Sequence, residues 1–146
     1  MDQIAFACAS KHSGNYCVTA SVNKVDFLKP IEVGELVTMK ASINYTGNTS
    51  MVVGVRVESE NIQTGEVKHC NSSYFTMIAK DDTGKSVAVP GLILNTVESV
   101  RRFLRSIKRQ EQGRARFSEF RSEDFNIEDH LGMLGEQNAL IKIEES

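Results

Sequence analysis

Residues 2–12 read DQIAFACASKH, and this stretch decides the fold. Ile4, Ala5, Phe6, Ala7, Cys8 and Ala9 leave almost no polar face, and Ser13-Gly14-Asn15 supplies a stop, so the segment is predicted to be a helix. A helix that is apolar nearly all round must be enclosed by protein. The sheet after it is therefore expected to wrap it.

The next segment has period two. In Cys17 to Phe27, Val18, Ala20 and Val22 alternate with Thr19, Ser21 and Asn23, and the phase shifts near Lys24-Val25, where a bulge or bend is expected. Lys29-Pro30 ends the ladder because proline has no N–H, and Gly34 permits the turn into the next strand. Glu35 to Tyr45 sets Val37, Met39, Ala41, Ile43 and Tyr45 on one face against Thr38, Lys40, Ser42 and Asn44 on the other. Thr46-Gly47-Asn48 reads as a hairpin turn. The chain returns through Met51, Val53, Val55 and Val57, turns at Gln63-Thr64-Gly65 and leaves along Val67 to Lys80. Asp81-Asp82-Thr83-Gly84 is a further turn signal before a short segment to Pro90.

From Asn95 the periodicity changes. Thr96 is placed to cap a helix with Glu98 in its first turn, and Val97, Val100, Phe103, Leu104 and Ile107 fall at helical spacing. The predicted class is α+β: a curved antiparallel sheet of roughly four long strands around a central apolar helix, with a C-terminal amphipathic helix. Residues 1–110 are expected to form this domain. Beyond Gln110 the apolar pattern fades into Gly113 and the acidic Glu123, Asp124, Glu128 and Asp129, so residues 111–146 are expected to be a charged tail, mobile or partner-binding.

The 146 residues are 40% hydrophobic and 25% charged with a formal charge of −2, a balance that asks for neither nucleic acid nor a membrane as partner. No run approaches the roughly 20 apolar residues of a spanning helix. Asp2 stands where a secretory signal would carry its basic residues. Cys8, Cys17 and Cys70 are odd in number and lack CxxC spacing, which argues against a disulfide framework or a zinc site and fits free thiols in a cytoplasmic protein. His12, His69 and His130 are scattered, so no metal is expected. No glycine-rich phosphate loop, G-x-S-x-G or Cys-His pairing is present.

Several motifs carry a family resemblance: the apolar helix beginning Met1-Asp2, Val18-Thr19-Ala20-Ser21-Val22, Val25-Asp26-Phe27, Lys29-Pro30, Val33-Gly34, and Tyr45-Thr46-Gly47-Asn48-Thr49-Ser50-Met51. In this order they resemble the hotdog-fold acyl-CoA thioester hydrolases related to the cytosolic, brain-type enzymes, over residues 1 to about 105. The resemblance implies a hotdog fold, acyl-CoA as substrate, no cofactor beyond the coenzyme A of substrate and product, and a homo-oligomer, either a dimer or a trimer of dimers, with sites at the dimer interface. Family members precede the Met-Asp pair with a strand, a polar loop holding an asparagine, and a Gly-Gly stretch. The expectation here is a chain lacking that N-terminal strand and loop.

Thioester hydrolysis needs an activated water and a stabilised oxyanion, which a carboxylate and free N–H groups at a helix N-terminus supply together. Asp2 is placed for this, although an Asp in a first turn also simply favours the helix dipole. The resemblance implies that Asp2 is the catalytic base or nucleophile. It further implies that the loop of Asn48, Thr49 and Ser50 lines a coenzyme A groove, where ordinary turn chemistry is the competing explanation. Arg101, Arg102, Arg105, Lys108 and Arg109 form a basic helix face, of which Arg101 and Arg102 are candidates for the coenzyme A phosphates, against the alternative of a solvated face. The alternative function is a hotdog module that holds acyl-CoA without hydrolysing it or serves as an oligomeric scaffold.

Overall fold

A computed structural model describes residues 1–119 of the chain. Helix α1 spans Asp2–Ser13, and Gly14 ends it at φ 71°, a left-handed conformation that suits glycine, with its N–H on the Ser10 carbonyl. Strands β1 (Tyr16–Phe27), β2 (Leu36–Thr46), β3 (Ser50–Glu60) and β4 (Val67–Lys80) come next, and helix α2 covers Val97–Glu119. The strands form one antiparallel sheet in the order β1-β4-β3-β2. The core and the contacts of α2 with the sheet all lie within a first unit, Met1–Glu111. Helix α2 runs past Gln110, where the apolar spacing fades, because Glu111, Gln112, Arg114, Ala115 and Arg116 are all good helix formers and one glycine does not outweigh them. The acidic stretch from Glu123 to Asp129 lies outside the described residues.

The core lies between α1 and one face of the sheet. Ala5 and Ala9 of α1 meet Met51, Val53, Val55 and Val57 of β3 and Phe75, Met77 and Ala79 of β4, all buried. Within the first unit the sheet covers only one side of α1: Ala5, Ala9 and Ser13 are buried, whereas Gln3, Ala7 and Lys11 are exposed. The exposed side of α1 carries small or polar residues among its apolar ones.

Two register shifts interrupt β1, one between Thr19 and Ser21 and one between Val22 and Lys24. Only the second was expected from the sequence. The first reverses the expected faces at the start of the strand: Cys17 joins the core and Thr19 turns toward Met77, while Val18 takes the other side. A further shift between Ile43 and Tyr45 breaks the alternation of β2 that the sequence suggested was continuous. Ala41 and Ile43 pack on the core, but Tyr45 turns to the outer face and packs on Phe103 of α2, the rings tilted by 45° with centroids 4.9 Å apart. Val37 and Met39 remain exposed, since β2 is a sheet edge.

Helix α2 meets that outer face through Phe103 and through Arg109, whose guanidinium sits 3.8 Å above the Tyr74 ring. The predicted apolar stripe is only partly used. Phe103 and Ile107 are half-buried, whereas Val97, Val100 and Leu104 stay exposed and Ser106, bonded to the Arg102 carbonyl, takes the most buried position.

Candidate active site

Asp2 opens α1 on the core side of the sheet. The helix has no side-chain cap at Met1, so the N–H groups of its first turn are open donors, with the positive end of the helix dipole behind them. The first register shift of β1 brings Thr19 under this turn, and its hydroxyl donates to Asp2 Oδ1 at 2.8 Å. Among the described residues no other side chain bonds the Asp2 carboxylate, and both residues are open to solvent. One carboxylate oxygen is oriented by protein and the other is left for water or substrate, beside backbone donors suited to a developing oxyanion.

A buried polar row lies below the start of the helix. Ser73 Oγ is 2.7 Å from Asn71 Oδ1 and 3.0 Å from Met1 Sδ, and Asn71 Nδ2 is buried without a hydrogen-bond partner among the described residues. Thr19, Asn71 and Ser73 did not stand out in the sequence. For Thr19 the available signal was Cys17 two positions before it, an apolar residue on the same side of the strand, which the Val18–Ala20–Val22 alternation outweighed.

The remaining predicted residues lie elsewhere. Asn48, Thr49 and Ser50 close the β2–β3 hairpin, where their carbonyls accept from the N–H groups of Val89, Ala79 and Gly47 respectively. Val89 is followed by Pro90, whose carbonyl lies 3.0 Å from His12 Nε2 at the far end of α1. Within one chain this hairpin is tied to the end of the helix opposite Asp2. Arg101 and Arg102 both pair with Glu98, at 2.7 and 3.2 Å, and Arg102 lines a cavity on the outer face of the sheet, away from Asp2.

The cysteines take no part in this arrangement. Cys17 and Cys70 are buried against Ser13 and Ser59, and burial pushes the Cys8 thiol above its ordinary value, with Lys11 only partly opposing this. Among the described residues no group of three His, Cys, Asp or Glu side chains is placed to hold a metal, and no helix is long and apolar enough to cross a membrane.

Comparison with known proteins gives this geometry a family. Residues 1–66 match the model of the thioesterase superfamily. A solved hexameric acyl-CoA thioesterase superposes with a TM-score of 0.78 at 38% identity, over 82% of this chain and 76% of that one. The chain belongs to the acyl-CoA hydrolases of the thioesterase superfamily. The sheet and α1 are accordingly those of a hotdog fold. An acyl-CoA hydrolase from Staphylococcus aureus, solved with butyryl coenzyme A and coenzyme A, matches this family member with a TM-score of 0.74 at 32% identity, over 92% of this chain and 78% of that one. Variants of that enzyme with an asparagine, a threonine or an aspartate replaced by alanine have been characterised. Protein VdlD of Helicobacter pylori is 44% identical over 111 residues, 76% of this chain, and the chain spans 63% of the length of VdlD.

Proposed function

We propose that this chain is an acyl-CoA thioesterase in which Asp2 is the catalytic carboxylate and Thr19 holds it. The Asp2–Thr19 hydrogen bond at the open end of α1 carries this reading. It gains support from the Staphylococcus aureus enzyme: the aspartate and threonine replaced there stand 17 positions apart, the separation of Asp2 and Thr19 here. In the hydrolysis, water adds to the thioester carbonyl carbon as Asp2 takes its proton, and first-turn N–H groups of α1 receive the negative charge on the carbonyl oxygen. Collapse breaks the carbon–sulfur bond, and the proton returns to the leaving thiolate of coenzyme A. Attack by the Asp2 carboxylate itself, with water cleaving the resulting anhydride, gives the same products.

The working unit is a homo-oligomer, a dimer or a trimer of dimers, which the hexameric relative supports. The Asn48–Ser50 hairpin lies at the end of α1 opposite Asp2, so in this proposal it lines the coenzyme A groove of a neighbouring copy. The test is steady-state release of coenzyme A from acyl-CoA esters of graded chain length by the chain and by Asp2→Asn. Release that falls by about a thousandfold or more in Asp2→Asn supports the reading, on the scale of removing an acid–base group. Release that is equal in both chains rules out Asp2, and saturable binding of acyl-CoA without release makes the chain a binding module.

A further inference from the structure

The outer face of the sheet carries a concave site. A cavity of about 380 Å³ lies between the outward rows of β2, β3 and β4 and helix α2. Lys40, Arg56, Arg102, Arg105 and Arg109 line it. Among the described residues two carboxylates answer these five cations: Glu58 takes both Lys40 and Arg56 at 2.6 Å, and Glu98 takes Arg102 at 3.2 Å. Lys40 and Arg56 hold the Glu58 carboxyl below its ordinary range, so it stays charged, and the described residues leave the site a formal excess of three positive charges. Arg105 has no ion-pair partner among the described residues, and Arg109 is fixed over Tyr74. Neutral polar groups also line it: the Ser72 hydroxyl, the Asn44 amide, and Ser42, whose hydroxyl donates to Asn44 Oδ1 at 2.9 Å. Asn44 crosses Gly54 so closely that a Cβ there would collide with its Nδ2.

We infer that this outer pocket binds a small polyanion of the pyrophosphate type. Its volume is that of a small-ligand site, for which about 300 to 1,000 Å³ is usual. Its charged lining disfavours an apolar guest, and planar guanidinium forks suit the oxygens of phosphate. Asp2 and Thr19 lie on the other face, so the site is separate from the reacting carboxylate and the inference stands whether or not Asp2 hydrolyses thioesters. The same diphosphate chemistry is offered by a free polyphosphate or nucleotide and by coenzyme A itself.

The test is calorimetric titration of inorganic pyrophosphate into the full chain at low salt, repeated with Arg105→Ala, Lys40→Ala, the double variant Arg105→Ala/Arg109→Ala, and Asp2→Asn. Saturable binding is expected, weakened about tenfold in each single cation variant and about a hundredfold in the double, and unchanged in Asp2→Asn. Far-ultraviolet circular dichroism verifies that each variant is folded. Lack of saturable binding, or binding indifferent to Arg105 and Lys40, overturns the inference. Competition identifies the source: displacement of pyrophosphate by coenzyme A that depends on Arg105 assigns the pocket to the diphosphate of the coenzyme, and binding that coenzyme A leaves intact assigns it to a free polyphosphate.

Discussion

Thr19→Val removes one atom's chemistry and almost none of the side chain's volume. The lost contact is the hydroxyl donated to Asp2 Oδ1 at 2.8 Å. A hydrogen bond to a charged group contributes about 1.5 to 3 kcal/mol. Because both residues are open to solvent, water replaces part of the loss and the lower end, about 1.5 kcal/mol, applies. Each 1.36 kcal/mol is tenfold in rate, so kcat is expected to fall about tenfold. KM should stay near its original value, since Thr19 orients the carboxylate and is not assigned to hold the substrate. Thr19→Ser retains the donor and should recover kcat to within about threefold, somewhat below full activity because its rotamers are less restricted. The assay is coenzyme A release followed by a thiol reagent across a full range of acyl-CoA concentrations. If Thr19→Val keeps the original kcat while Asp2→Asn abolishes turnover, Thr19 is only packing against Met77 and the orienting role is refuted.

Gly54→Ala should lower stability by about 1 to 3 kcal/mol, read from a denaturant midpoint, because the new Cβ displaces Asn44 from its place across β3. Met77→Ala empties a site of zero exposure between α1 and the sheet and is expected to cost about 2 to 5 kcal/mol by the same measurement. Glu35 accepts from the Glu32 N–H at 2.8 Å and pairs with Lys68 at 2.9 Å, which holds its carboxyl below the ordinary 4.5. Its contribution is therefore complete above pH 4.5 and fades as pH falls through the depressed folded value. Glu35→Gln should flatten the acid side of the stability–pH curve, and an unchanged acid limb would dismiss the pair. Lys68, raised above 10.5 chiefly by Glu35, contributes below that pH and loses its share as pH rises through the raised folded value, which Lys68→Met should abolish.

The leading helix was legible as an apolar run ended by Gly14, and the four strands by a sustained period between chemical stops: Gly34 before β2, and Gly65 and Gly84 at positive φ around β4. Asp2 was legible because a carboxylate in a first turn has a position that sequence alone defines. Thr19 was not, since its face depends on an extra residue at the Thr19/Ser21 shift, and a bulge has no signature within an alternation of apolar and small polar residues. Tyr45 was assigned to the wrong face for the same reason. The separation of Arg102 from Asp2 was equally hidden, because it depends on which face of the sheet α2 crosses. That is a long-range choice to which helical spacing is blind.

The buried side of α1 is made of Ala5, Ala9 and Ser13. Side chains this small let the helix backbone rest close to the strands, so the thickness of the layer between them is set by the partners on β3 and β4. A bulkier residue at position 5 or 9 would act as a shim: it would lift the whole rigid rod and carry its first turn away from β1. The 2.8 Å reach from Thr19 to Asp2 is too short to survive such a lift. Under the proposed mechanism the volume beneath α1 is thereby a mechanical setting of the Asp2–Thr19 geometry, and a larger residue at position 5 or 9 would lower turnover before it unfolded the protein.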